Sequence, residues 1–472
     1  MLASDHRSEM AFQMSVPATT DCLIVGGGFA GMVAARRLQQ LGVSPVVLEK
    51  GDLDGGLGNT VISGGLIHVA WEPPDATYEA KHERLLAETD GEIDGELADA
   101  LASESAHIIP WLRAEGVEMR QKTDERATRW TLYPFRSGMG RRLLPEMGPG
   151  RAMARLYQAF RSAGGDLRLG SEALALEPAP VGWSVRYRDT SGKAASITAS
   201  CVLFADGGFQ ANAEMLDRYV GSNAGLCLLR AATSGTGDGL RMLLDNGAGA
   251  VGLGRVYGHI VSIDALHTDE LWPFPHLDAL CMEGLVTDRQ GDRFAVGTSS
   301  PVGLVTRLAR SDDPRGFTVL FDHELWIGPA GRGNLGLPAP NPEIPRRGGH
   351  LAVADTVEDL ADVLGIQRDR LATSLAEHNG IRGLRPLTRP PFYAARMLPG
   401  ITFTMGGVVI GRDAGVRRPD GRPIQGLFAA GSTTGGIQGG PNGGYVGGLA
   451  TAATFGYIAA ATIAAQVRAG VR

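Results

Sequence analysis

Cysteine is scarce. The 472 residues hold four, Cys22, Cys201, Cys227 and Cys281, and no two of them make a CxxC. This excludes a disulfide scaffold and a zinc site of clustered thiols. It equally excludes the CxxCH or grouped cysteines of a heme or iron–sulfur module. Cys22 and Cys201 instead open apolar, strand-like runs. Charge of one sign is also in short supply, with a formal net charge of −6. No basic run and no interleaving of basic and aromatic residues suits a nucleic acid. The opening MLASDHRSEMAFQMSVPATT lacks a basic start followed by an apolar run of signal length. The expectation is a disordered tail over 1–17 on a cytoplasmic protein. The apolar segment 445–467 is rich in Gly, Ala and Thr and poor in Leu and Ile, which argues for a buried helix rather than a membrane span. No spacing of His, Asp and Glu argues for a metal.

Glycine is abundant, with 67 residues. They cluster at 26–31, 55–65, 235–254 and 435–448, which marks loops where backbone closely approaches itself or a ligand. The length and the 43% hydrophobic content allow two or three domains with a large core.

The first cluster sits in DCLIVGGGFAGMVAARRLQQLGVSPVVLEKG. Residues 22–25 read as a strand. Gly26, Gly28 and Gly31 supply GxGxxG, and residues 32–41 have helical spacing. Residues 45–48 read as a second strand, ended by Glu49. In such a unit Gly26 makes the tight turn, Gly28 lets a pyrophosphate approach, and Gly31 lets the helix pack on the strand. Free N–H groups at the helix start favour phosphate. Glu49 lies about 20 residues on, where an acid accepts ribose hydroxyls. Strand, helix, second strand and acid together point to a dinucleotide. A second glycine-rich loop, Gly55 to Gly58 followed by Ser63-Gly64-Gly65, suits the longer FAD.

Residues 75–130 are charged and helix-like. Residues 148–170 read as an amphipathic helix and a strand, and residues 202–219 as a buried strand, a Gly207-Gly208 turn and a capped helix. From about 255 to 395 proline rises and periodicity falls, as in an inserted domain, although 356–379 is again helical. The stretch ITFTMGGVVIG, 401–411, reads as two strand runs broken by Gly406 and Gly407. A glycine pair there signals a bulge or a close approach, which leaves room for a flat ligand.

Read in order, CLIVGGGFAGMVAA with LEK, SGG at 63–65, VLFADGGFQANAEML, SGTGDGL, GDRF, PPFYA with PG, TMGGV, PIQGLFAAGSTTGG and GGLATAATFGYIAA span almost the whole chain. It resembles the FAD-dependent fumarate reductase and succinate dehydrogenase flavoprotein superfamily, in its soluble branch with 3-ketosteroid dehydrogenases and tricarballylate dehydrogenase. The resemblance implies an α/β fold: a Rossmann-like FAD-binding domain of the glutathione-reductase type, 18–254 plus 397–472, with an inserted α+β capping domain, 255–396. It places FAD against Gly26, Gly28, Phe29, Ala30, Gly31, Glu49, Lys50, Gly56, Asn59, Thr60, Ser63, Gly64, Gly65, Ala205, Asp206, Gly207, Asp238, Gly406, Gly431, Ser432, Gly448 and Leu449. Relatives often carry Thr or Ser at the position of Asp206, and Glu or Asn at that of Ser432. Gly58-Asn59-Thr60 offers no histidine for a covalent flavin bond, so FAD is expected to be non-covalent.

Such flavoproteins move a hydride between flavin N5 and a carbon β to a carbonyl, while a protein group moves the α-proton. Fumarate reductases keep a histidine where this chain has Phe403, a Glu and an Arg where it has AVGTSSP after GDRF, and a second Arg where it has Gly443. Dicarboxylates need such cationic clamps. The expectation is therefore desaturation next to the carbonyl of a small cyclic or weakly charged ketone. Electrons would leave to an external acceptor: a quinone, a carrier protein or dioxygen. The alternatives are a fumarate-reductase-like ene-reductase, a tricarballylate-type dehydrogenase, and a non-catalytic flavin-binding subunit.

Asn442 falls at the tyrosine position of the ketosteroid dehydrogenases. Tyr445, three residues on, is either the hydroxyl that polarises the ketone or a packing residue. His259 is either a catalytic histidine or a satisfied core residue. Tyr257, Tyr133 and Phe135 are candidate substrate contacts with packing as the other reading, and Arg396 is a candidate carboxylate ligand or a surface arginine.

Overall fold

The strand β1 (Ala18–Val25), the helix α1 (Phe29–Gln40) and the strand β2 (Val46–Leu48) form in the order that the sequence reading expects. In the computed structural model, described residues are 18–52, 58–123, 128–135, 145–332 and 337–470. The expected tail over 1–17 and Gly56 lie outside them. The β1 strand is apolar because both of its faces are covered: Leu23, Ile24 and Val25 are buried. It pairs in parallel with β2 on one side and with the strand Ala194–Phe204 on the other. The full order is Gly415–Arg417, Pro423–Ala429, Ala194–Phe204, β1, β2, Asp166–Arg168. The hairpin of Glu172–Pro178 and Trp183–Arg188 adds to the edge of Ala194–Phe204.

Gly26 turns the chain out of β1 at φ +102, with the backbone of Ala205 where a Cβ would stand, 2.5 Å away. Any side chain there is strained twice, by the dihedral and by the contact. Gly31 seats α1 directly on the carbonyl of Gly26, which is the packing role expected for the third glycine.

A second sheet is built around the long strand Phe392–Thr404. Val256–Ser262, Phe317–Phe321 and Ala352–Ala354 pair with it in antiparallel fashion, and Leu228–Leu229 in parallel. This strand crosses 396/397 unbroken. The proline-rich stretch still holds helices, among them Asp278–Glu283, Pro301–Ala309, Val357–Leu364 and Arg368–Gly380.

The apolar C-terminal segment is the helix Gly448–Arg468, long and apolar enough to cross a membrane but largely buried here. Gly456 lies against the backbone of Ala30 in α1, so the two helices touch without a side chain between them.

Candidate functional site

One continuous cavity of about 320 Å³ runs between the two sheets. At one end it is lined by Gly26, Gly28, Phe29 and Ala30 at the start of α1, and by Glu49, Lys50, Ala205, Asp206, Gly207 and Asp238. Glu49 is buried, and its carboxylate accepts N–H bonds from Gly27 (2.7 Å) and Gly51 (2.8 Å). Burial pushes its pKa up despite those bonds. Lys50 donates to Thr236 (2.6 Å) and to the carboxylate of Asp238 (3.1 Å). Asp206 accepts from the N–H of Gly239, and burial raises its pKa to about 6.

The middle is lined by Asn59, Thr60, Ser63, Gly64, Gly65, Gly431, Ser432, Gly448 and Leu449. The Asn59 side chain donates to the Thr402 carbonyl (2.7 Å) and accepts from the N–H of Ala232 (2.8 Å), tying this loop to the second sheet.

The far end is aromatic. Tyr257 stacks on Tyr445 with ring centroids 4.1 Å apart, and Phe403 lies 5.0 Å from Tyr257. The Tyr445 hydroxyl oxygen accepts a 3.3 Å bond from the N–H of Gly448, so the two groups converge. The alternation of Val256–Ser262 turns Tyr257 and His259 to the same side. Asp278 bonds His259 Nδ1 at 2.6 Å and also accepts the N–H of Ile260. The carboxylate fixes the proton on Nδ1, so Nε2 accepts the Tyr257 hydroxyl at 3.0 Å. His276 stacks on His259 with centroids 3.8 Å apart and takes a bond from Arg230 at 2.8 Å. Burial lowers the pKa of both histidines, and of His276 strongly. It also pushes the Tyr257 hydroxyl far up, and raises Tyr445. His259, His276 and Asp278 lie close enough to hold a metal ion, but their nitrogens already serve protein partners and the Arg230 cation adjoins them.

The profile of the FAD binding domain family matches residues 21–447. The chain belongs to this family. It is a flavoprotein. It is 28% identical to the probable fumarate reductase Ifc3 of Shewanella frigidimarina, over 89% of this chain and 71% of that one. It is 25% identical to the 4-oxocyclohexanecarboxylate 2-dehydrogenase of Sinomonas cyclohexanicum, over 97% of this chain and 95% of that one. In fold it matches the 3-ketosteroid delta1-dehydrogenase of Sterolibacterium denitrificans, with a TM-score of 0.71, 20% identity, and 95% and 100% of the two chains covered.

The cavity of this flavoprotein fits FAD. The N-cap residues Gly28 of α1 and Gly447 of the C-terminal helix carry no capping side chain, and neither helix has an acid in its first turn. First-turn N–H groups that face no carboxylate suit phosphate and the electron-rich edge of a flavin.

Five expected site residues do not line the cavity. Gly31 is a packing position. Gly406 packs against the backbone of Gly252, and Gly407 against Thr433, so the glycine pair makes room for backbone and not for the ligand. Phe403 and Thr402 of the same strand do line it. Tyr133 instead lies under the Arg120 guanidinium, 3.6 Å from its ring centroid. Asn442 braces loops, accepting from Thr298 and Ser299 and donating to Asp90. Arg396 is exposed on the strand Phe392–Thr404, opposite Thr318. Phe135 is on the cavity wall.

Sequence reasoning missed Arg230, His276, Asp278 and His68. His68 and Arg230 sit beside the SGG and SGTGDGL motifs, a proximity that could have flagged them. His276 and Asp278 fall in PFPHLDAL, where prolines erase the periodicity.

Proposed function

We propose that this flavoprotein desaturates the carbon–carbon bond next to a ketone. The observation that carries the reading is the convergence of the Tyr445 hydroxyl and the Gly448 N–H beside the Tyr257–His259–Asp278 chain. The ketone oxygen takes a hydrogen bond from the Tyr445 hydroxyl, which the Gly448 N–H polarises by donating to its oxygen, and this bond stabilises the enolate as it forms. Tyr257 receives the α-proton on its oxygen while its own proton passes to His259 Nε2. Asp278 stabilises the imidazolium that results. Burial keeps the Tyr257 hydroxyl protonated, which favours moving both protons together. Bound FAD supplies the hydride acceptor. Phe403 and the two tyrosines exclude water from the ring face of the substrate.

Tyr257 thus takes the role of base, with His259 acting through it. The same residues run in reverse would reduce an activated alkene, and the 28% identity to a probable fumarate reductase favours keeping that direction as a second reading.

Saturated cyclic ketones, a 4-oxocyclohexane ring and a 3-ketosteroid among them, should bleach the yellow flavin absorbance without oxygen. A broad panel that leaves the flavin oxidised defeats the reading. Tyr257→Phe should slow that bleaching by about 100-fold or more, the usual worth of a positioned proton acceptor, with FAD retained. An unchanged rate removes Tyr257 from the mechanism.

A further inference from the structure

Arg230 lines the cavity and is buried, with 7% of its surface exposed. Its three protein hydrogen bonds go to neutral acceptors: Nε to the Pro273 carbonyl (2.9 Å), Nη1 to the Thr402 hydroxyl (2.8 Å) and Nη2 to His276 Nε2 (2.8 Å). Among the described residues, no carboxylate lies within ion-pair distance of it. The nearby acid, Asp278, is already engaged by His259 and the N–H of Ile260.

Burial draws the Arg230 pKa down to about 10, which still leaves the group charged at neutral pH. A buried cation without a counter-ion is costly, and buried charges in folded proteins are normally paired. A bridge between Thr402, Pro273 and His276 needs donors and does not need a charge. A guanidinium has five N–H groups, so each Nη keeps one beyond those bonds. One open N–H on each nitrogen suits the two oxygens of a carboxylate, which an ammonium would match less well.

Resting on the ketone reading above, we propose that the substrate is an oxo-carboxylate, held by its carboxylate at Arg230 and by its ketone oxygen at the Tyr445 hydroxyl. Arg230 sets specificity from a site other than the positions where fumarate reductases carry their arginines. The link from Arg230 through His276 to the His259 ring places the anion beside the proton chain. The two ends of one small ring molecule are thereby fixed while its α-carbon faces Tyr257.

The test compares a cyclic ketone bearing a carboxylate with its methyl ester on the FAD-loaded protein. Binding is read from the shift of the flavin absorption band, so it is scored even where no bleaching follows. The acid should bind about thirtyfold or more tightly than the ester, the usual worth of hydrogen bonds to a charged group. Arg230→Met should collapse that preference, and Arg230→Lys should recover part of it. Equal affinity for acid and ester in the unaltered protein overturns the proposal. So does an Arg230→Met protein that folds and keeps the preference, or one whose only defect is loss of FAD. Binding of the acid without bleaching by any ketone sinks the desaturation reading and leaves the carboxylate site standing.

Discussion

At the scale of single residues, the cavity depends on groups held in uncharged states by burial. His68 shows this most clearly. It is buried on the cavity wall, its Nδ1 accepts the Trp71 N–H at 3.0 Å, and its ring stacks on Trp71. Burial, helped by the Arg129 cation, drives its pKa down from 6.5 to about 3. The unfolded chain therefore binds a proton there at a pH where the folded chain does not. The stability this gives is complete above about 6.5 and is lost as pH falls from there toward about 3. Asp206, raised from 3.8 to about 6, has the opposite sign: its contribution is full below 3.8 and lost as pH rises toward 6. A variant is needed to separate the two. His68→Asn keeps an acceptor for Trp71 and removes the titration. Urea unfolding between pH about 7 and about 5 should show the unaltered protein losing about 2 kcal/mol more in total than the variant, about 1 kcal/mol per pH unit, because the unfolded imidazole is only partly protonated near 6.5. Parallel pH curves for the two proteins would refute the buried neutral imidazole.

At the scale of elements, contact between backbones decides more than side-chain pattern does. The C-terminal helix meets α1 at Gly456, where an added Cβ would collide with the Ala30 carbonyl. Gly456→Val must push apart two helices whose first turns both line the cavity, at a cost of about 1–3 kcal/mol from overpacking. Lower Tm and weakened FAD retention should appear together; normal FAD content at a lowered Tm would separate packing from cofactor binding. The β1–α1–β2 unit was legible because glycine spacing, apolar runs and the terminal acid all follow local rules. The pair Gly406-Gly407 was legible only as a close approach. Sequence does not say whether a ligand or the backbone of Gly252 comes near, and the structure puts Gly252 there. Phe403 was legible as the informative residue of that strand, and it does face the cavity. Arg230, His276 and Asp278 were hidden for a different reason. They meet through pairings of strands far apart in the chain, across a proline-rich stretch with no periodicity to read.

At the scale of the whole molecule, the cavity is the seam between the two sheets. Val25, Glu49 and Asp206 reach it from the parallel sheet, and Tyr257, Thr402 and Phe403 from the other. Asn59 links the seam at its middle through Thr402 and Ala232. FAD filling this seam would hold both sheets at once. Ligand linkage then makes the cofactor a stabiliser of the entire fold, worth about 4 kcal/mol when free FAD stands at a thousand times its Kd. Calorimetry of the FAD-stripped and reloaded protein should show one transition that moves upward as FAD is added. If the stripped protein instead melts in two steps and FAD moves only one of them, the cofactor is held by one sheet alone. The second sheet would then be free to swing over the site, and the proton chain on Val256–Ser262 would be brought to the substrate only when the site closes.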